Sequence, residues 1–294
     1  MTQKLYRGYD QAELDGQLNL RARWPEHEEY FARWAEDSAE VRRQLGDHVD
    51  LAYGPSAGQK LDLFLPEGAA GSPLLAFIHG GYWQSLDKSD FSYLAPPYLE
   101  KGIAFASLNY DLAPQVGVAE ILRQVRCALA WLYRNAADYG VDPGRIYLAG
   151  HSAGGHLSAM ALATDWQADP AVGPGLPGDL VKGGCSVSGV YDMEPIRLSY
   201  HQAVLDLDAE TAARMTPLHH LPPRAVPLIL AVGSEETEEF HRQQAEYLAA
   251  WQTAGLTATV VELPGRNHFT AVDALGEHDH SLFAATSSLM LTGA

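Results

Sequence analysis

The chain has 294 residues, 47 % of them hydrophobic, enough for one large α/β domain with a small appendage or for two domains. It carries 20 Lys and Arg against 37 Asp and Glu, a formal net charge of −17, which disfavours nucleic acid or an anionic membrane surface as a partner. With no apolar leader-like stretch at its start and no 18-residue apolar run, it is expected to be soluble and cytoplasmic.

Residues 1–46 are rich in charge and in Trp and Tyr. Trp24, Glu28, Phe31, Trp34, Ser38, Val41 and Leu45 recur at spacings of three and four, so the large apolar members share one helix face. This segment is expected to be helical. It serves either as a lid over a pocket or as a helix packed on the domain surface, and the pattern does not choose between them.

From Asp47 to the end, residues 47–294 read as an α/β domain. Val49–Tyr53 and Leu61–Leu65 alternate apolar and polar as half-buried strands do, with Gly54–Gly58 as the loop between them. Continuous apolar runs follow at Leu74–Ile78, Ile103–Leu108, Ile146–Ala149 and Leu228–Val232. Between them, Val118, Ile121, Val125, Leu129 and Leu132 form one helical stripe. Apolar strands alternating with helices predict a mostly parallel sheet covered on both faces, with the first two strands as an antiparallel edge. Residues 165–180 and 191–226 are Pro- and Gly-rich. They are expected to be excursions above the sheet that shape a pocket at the strands' carboxyl ends. Cys127 and Cys185 stand far apart in apolar surroundings and are expected to be free, buried thiols.

The chemistry concentrates in four places. Gly150-His151-Ser152-Ala153-Gly154 sits between the strand-like Ile146–Ala149 and the helix-like Ser158–Leu162. It matches Gly-x-Ser-x-Gly, a tight strand-to-helix turn that exposes a serine hydroxyl at a helix N-terminus. Ser152 is therefore the candidate nucleophile. His268, in Pro264–Phe269 directly after the strand-like Thr259–Leu263, is the candidate base. The acid that orients it should follow the strand Pro227–Gly233. Glu236 is preferred there, with Glu235 as runner-up and Asp192 as a third candidate. Leu75–Ile78 runs into His79-Gly80-Gly81-Tyr82-Trp83, whose glycines let backbone N–H groups approach a substrate carbonyl. Gly80, Gly81 and Ala153 are the expected oxyanion donors, with His79 bracing the loop. Tyr82 and Trp83, joined by Trp24 in a lesser role, are the expected walls for a substrate. Glu277-His278-Asp279-His280 has metal-ligand residue types but no spaced partners, so it is read as a surface cluster; no metal or cofactor is expected. The order Ser152, Glu236, His268 is that of Ser…Asp/Glu…His hydrolases.

These motifs resemble the α/β-hydrolase superfamily, in the His-Gly-Gly branch of hormone-sensitive-lipase-like esterases. Within it they look most like the kynurenine formamidase (arylformamidase) group. Gly150–Gly155 and His79–Trp83 are shared across the branch. Asn109-Tyr110-Asp111-Leu112-Ala113-Pro114, Ser188–Asp192, Glu239-Phe240 ahead of Arg242-Gln243, and Asn267-His268-Phe269 are closer to the formamidase group. The resemblance implies an α/β-hydrolase fold and a serine hydrolase that cleaves small esters or aryl formamides through an acyl-enzyme. A broad carboxylesterase for short acyl esters is the alternative. The implied partner is a small-molecule ester or amide, with neither nucleic acid nor membrane; homo-oligomerisation stays open. A glutamate as triad acid departs from the aspartate of many relatives.

Overall fold

A computed structural model of the protein describes residues 4–292. Its strands are β1 (His48–Ala52), β2 (Lys60–Phe64), β3 (Ser72–Ile78), β4 (Ala104–Leu108), β5 (Val141–His151), β6 (Val181–Val187), β7 (Leu228–Gly233) and β8 (Ala258–Leu263). They form one sheet in the order β1-β2-β4-β3-β5-β6-β7-β8. The pairs from β4 through β8 are parallel, whereas β2 pairs antiparallel with both β1 and β4. This is the mostly parallel sheet with an antiparallel margin that the alternation of apolar strands and helices predicts. One detail differs. Although Leu61–Leu65 alternates in sequence, β2 is buried almost throughout, because it lies one strand in from the edge.

The helices are α1 (Gln11–Leu18), α2 (Leu20–Arg23), α3 (His27–Leu45), α4 (Ala95–Glu100), α5 (Val118–Asn135), α6 (Ala153–Leu162), α7 (Glu194–Leu198), α8 (Gln202–Leu205), α9 (Ala209–Arg214), α10 (Glu238–Thr253) and α11 (Ser281–Leu291). Consecutive strand residues point to opposite faces. A Cβ on Gly183 would meet Leu289 of α11, and one on Gly184 would meet Leu162 of α6. The two helices therefore cover opposite faces of the sheet. Helix α4 joins α11 through the edge-on pair Tyr98–Phe283, and α5 packs beside α6. Among the described residues, no helix is long and apolar enough to cross a membrane.

The N-terminal residues form three helices rather than one. Trp24 caps the end of α2, the chain turns at Pro25, and α3 starts at His27. Trp24 therefore leaves the helical stripe that its spacing suggested. Trp34 of α3 is buried, its indole N–H donating to Asp273. Of the two excursions, 191–226 carries α7, α8 and α9. Residues 165–180 lie against α5 instead, where Arg134 donates to the carbonyl of Val172. Cys185 is buried and Cys127 only partly so; both are free.

A buried ion network joins α3 to the sheet. Asp62 of β2, fully buried, takes Arg42 of α3 on one oxygen and the Lys88 ammonium at 2.7 Å on the other. Lys88 also reaches Asp50 at 2.8 Å, and burial holds its pKa below the usual lysine value. Asp62 and Lys88 are the buried members, so removing Lys88 leaves the Asp62 carboxylate in low dielectric with Arg42 as its one remaining cation. Lys88→Met is expected to lower the unfolding free energy by about 3 kcal/mol, read from urea titration. Combining it with Asp62→Asn is expected to cost less than the sum of the two single changes.

Candidate active site

Strand β5 delivers Ser152 to the N-terminus of α6 with φ +57° and ψ −117°, a region that non-glycine residues rarely occupy. The turn is this sharp because its neighbours are glycines. A Cβ on Gly150 would collide with the backbone carbonyl of Gly154, and one on Gly154 with that of Ile78. Ser152 is nearly buried yet lines a cavity of about 200 Å³. Its hydroxyl has no hydrogen-bond partner among the described residues, so it is not tied back into the fold.

His268 lines the same cavity. Its Nδ1–H donates to Oε2 of Glu236 at 2.6 Å, which leaves Nε2 as the free ring nitrogen. The Glu236 side chain is fully buried. Its other oxygen accepts from the Gly233 N–H at 2.9 Å and from the Ser188 hydroxyl. A buried carboxylate with three donors is a satisfied one. Glu235 points to solvent and Asp192 binds Tyr6 and Arg242, so neither competes for the histidine. The imidazole is also held by packing, with Phe240 at 4.7 Å and His151 at 4.8 Å between ring centroids. His151 Nε2–H donates to the His268 backbone carbonyl at 2.8 Å. Burial keeps the His151 imidazole well below its ordinary pKa, hence neutral. The residue before the nucleophile thus anchors the histidine loop.

The loop after β3 brings Gly80 against the elbow; a Cβ there would lie 3.0 Å from the Ser152 Cβ. Gly81, at φ +103°, lines the cavity. Among the described residues the N–H groups of Gly80, Gly81 and Ala153 have no acceptor. His79 braces this loop. Its ring stacks on Tyr110 at 4.3 Å, with Nδ1 2.8 Å from the Gly80 carbonyl and Nε2 3.0 Å from Asn109 Oδ1. Tyr110 donates in turn to the His79 carbonyl at 2.9 Å.

Two expected walls are corrected. Tyr82 and Trp83 both take positive φ, +49° and +58°. The double left-handed turn leaves Tyr82 on the cavity and swings Trp83 inward. Trp83 is fully buried and packs edge-on against His156 at 5.0 Å. Trp24 lies behind Phe269 rather than on the cavity. The aromatic lining instead comes from Phe31 and Trp34 of α3, Tyr82, Tyr200 and Phe269. Of the excursions, 191–226 contributes Tyr200 and His201, and 165–180 contributes nothing to this lining. Phe31 and Trp34 were visible as helix-face residues, but nothing local showed which element that face would meet. Ser188, His151, Tyr200 and His201 carry no motif of their own for these roles. His278 pairs with Glu100 at 3.4 Å and His280 caps α11. Among the described residues no three His, Cys, Asp or Glu lie together as a metal site.

The BD-FAE family model matches residues 61–206 of the chain. Kynurenine formamidase of Danio rerio is 34 % identical over 241 residues, 80 % of this chain and 78 % of that protein. The chain belongs to the kynurenine formamidase-like esterase branch of the α/β-hydrolases. It is a hydrolase of that superfamily. Esterase LipQ of Mycobacterium tuberculosis is 29 % identical, covering 77 % of this chain and 58 % of LipQ. A Silicibacter sp. TM1040 crystal structure, provisionally described as a thioesterase, superposes with a TM-score of 0.79 at 32 % identity. That match covers 92 % of this chain and 98 % of the other. The α/β-hydrolase architecture accounts for the parallel sheet order and for the elbow at the end of β5.

Buried neutral histidines around this hydrolase site carry a pH signature. Burial pushes His156 and His201 down to about 4. The unfolded chain takes up protons at these positions below about 6.5, while the folded one does not until near 4. Their contribution to stability is therefore full above 6.5 and is lost as pH falls toward 4. In His156→Gln, the slope of unfolding free energy against pH over this window is expected to flatten by up to about 1.4 kcal/mol per pH unit. Urea titrations at a series of pH values check it.

Proposed function

We propose that the protein hydrolyses small aryl formamides or short esters through an acyl-enzyme on Ser152, with His268 as general base and Glu236 as its orienting acid. The observation that carries this reading is the 2.6 Å bond from His268 Nδ1 to a buried, otherwise satisfied carboxylate, with Ser152 strained onto the same cavity wall. His268 Nε2 takes the Ser152 proton as the hydroxyl oxygen attacks the substrate carbonyl. Glu236 holds the ring in the tautomer this requires and stabilises the imidazolium. The N–H groups of Gly80, Gly81 and Ala153 receive the oxyanion; each such donor is typically worth about 3 kcal/mol of transition-state stabilisation. His268 then protonates the departing amine or alcohol. A water activated by the same ring releases the acyl group as a carboxylic acid, formate when the substrate is a formamide.

Two features support a small aryl substrate: the cavity is only about 200 Å³, and the aromatic rings of Phe31, Trp34, Tyr82, Tyr200 and Phe269 line it. The kynurenine formamidase relatives favour an N-formylated aromatic amine, such as N-formylkynurenine, as the first choice. Esterase LipQ keeps a broad carboxylesterase as the second.

A substrate panel tests both. N-formylkynurenine and a 4-nitrophenyl acetate are offered to wild type and to Ser152→Ala, and a fluorophosphonate is used to tag the active serine. Wild type is expected to turn over the formamide and to be labelled at Ser152. Ser152→Ala is expected to lose about 10⁶-fold in kcat and to escape labelling. Strong ester turnover with none of the formamide removes the first choice and leaves the second. In Glu236→Gln, kcat is expected to fall by about 10⁴-fold with KM little changed. A loss below tenfold would remove Glu236 from the triad.

A further inference from the structure

The cavity differs in charge from the rest of the molecule. The chain carries −17, yet among the described residues no Asp or Glu lines this cavity, and Arg21 is the one Lys or Arg that does. Two of the histidines on the lining, His151 and His201, do not add positive charge near neutral pH. Burial keeps His151 and His201 neutral, and the nearby Arg21 charge adds to the effect on His201.

Arg21 is also unlike most arginines of the chain. Arg7, Arg33, Arg42, Arg197, Arg242 and Arg266 each meet a carboxylate. Among the described residues Arg21 has no carboxylate within 4 Å. It makes one side-chain hydrogen bond, from Nη2 to the Ser85 hydroxyl at 2.8 Å, and its guanidinium lies 5.5 Å from the Phe31 ring centroid. Ser85 is itself tied to the Gly81 carbonyl at 3.1 Å. The guanidinium is therefore held between the oxyanion loop and α3 at the cavity's exposed rim. It has five N–H donors in a planar fork, and four of them have no acceptor among the described residues. Its neighbour Arg23 turns away over Trp24 and does not line the cavity. Helix-end electrostatics would be served equally by Arg23 and do not explain this placement.

We propose that Arg21 is the residue that recognises a carboxylate on the substrate, so that the preferred substrates are small aryl formamides or esters carrying a carboxylate remote from the scissile bond. This rests on the hydrolase reading of the same cavity. The aryl group lies among Phe31, Tyr82 and Phe269, the scissile carbonyl faces Ser152, and the carboxylate meets the free edge of the guanidinium at the rim. Planar, two-point pairing is the geometry in which arginine binds carboxylates best. Because the rim is open to water, the gain is modest and appears as selectivity rather than as raw rate.

The test uses matched pairs on the full-length enzyme. N-formylkynurenine is compared with its carboxamide, which replaces the carboxylate by a neutral group, and 4-acetoxybenzoate is compared with its methyl ester. Wild type, Arg21→Met and Arg21→Lys are assayed on all four. Arg21 is exposed, so neither change threatens the fold. The acid-over-neutral ratio of kcat/KM is expected to fall about fivefold in Arg21→Met, mainly through KM, and to be partly kept in Arg21→Lys. In wild type the same ratio is expected to shrink at high salt. An unchanged ratio in Arg21→Met on every pair that wild type hydrolyses overturns the proposal for Arg21 while leaving the hydrolase standing. Absence of any Ser152-dependent turnover overturns the hydrolase reading, and this one with it.

Discussion

Strand β5 and helix α6 approach so closely at Ser152 that no side chain fits on either flank. The carbonyl of Ile78 occupies the place of a Cβ at Gly154, and the carbonyl of Gly154 the place of one at Gly150. That steric condition forces Ser152 to positive φ. It also brings the end of β3, and with it Gly80, against the serine. The glycine loop after β3, the N-terminus of α6 and Ser152 are thus gathered by one packing constraint between three backbones. The histidine enters from the other side, through the bond from His151 to the carbonyl of His268. One residue of the elbow, Ser152, lines the cavity, and the residue before it holds the loop of His268.

The middle of the sheet could be read from the chain, because β3, β4, β7 and the end of β5 are buried on both faces and appear as unbroken apolar runs. The triad could be read in part. Ser152 and His268 lie in local motifs that follow strands, where spacing carries information. Choosing Glu236 over Glu235 depended on which side chain turns inward after β7, and the adjacent residues are chemically alike. The Gly233 N–H and Ser188 hydroxyl that hold the Glu236 carboxylate inward come from two strand ends. Trp83 was misplaced because successive left-handed residues reverse the side on which a loop side chain emerges. Trp24 was misplaced because Pro25 interrupts a spacing that looks continuous on paper.

Apart from Asn267-His268-Phe269, whose His268 and Phe269 line the cavity itself, the motifs closest to the formamidase group do structural work in this fold. Asp111 accepts from the Gly58 N–H and from Gln124, fixing the start of the segment beside Trp83. Arg242 binds Glu239, Glu246 and Asp192 and donates to the Tyr6 hydroxyl. Gln243 accepts from the N–H groups of Tyr191 and Asp192. Such residues set the position of the cavity walls without touching the cavity. A pattern specific to a group of hydrolases can therefore report on wall placement, which governs what fits, and not on the reacting atoms.

The first helices of the chain rest on its last third. Trp34 and Arg33 meet Asp273, and the carbonyl of Gln17 accepts from Thr237. These contacts span more than 200 residues. During synthesis Trp34 can meet Phe91 and Tyr93 once the first third of the chain has been made, but Trp24, His27 and Phe31 have no Phe269 to pack on until the histidine loop follows. Non-local closure of this kind comes late and slowly. A chain interrupted before the histidine loop would therefore present Trp24 and Phe31 as sticky surface, and the cell's chaperones would meet this protein at its beginning rather than at its end.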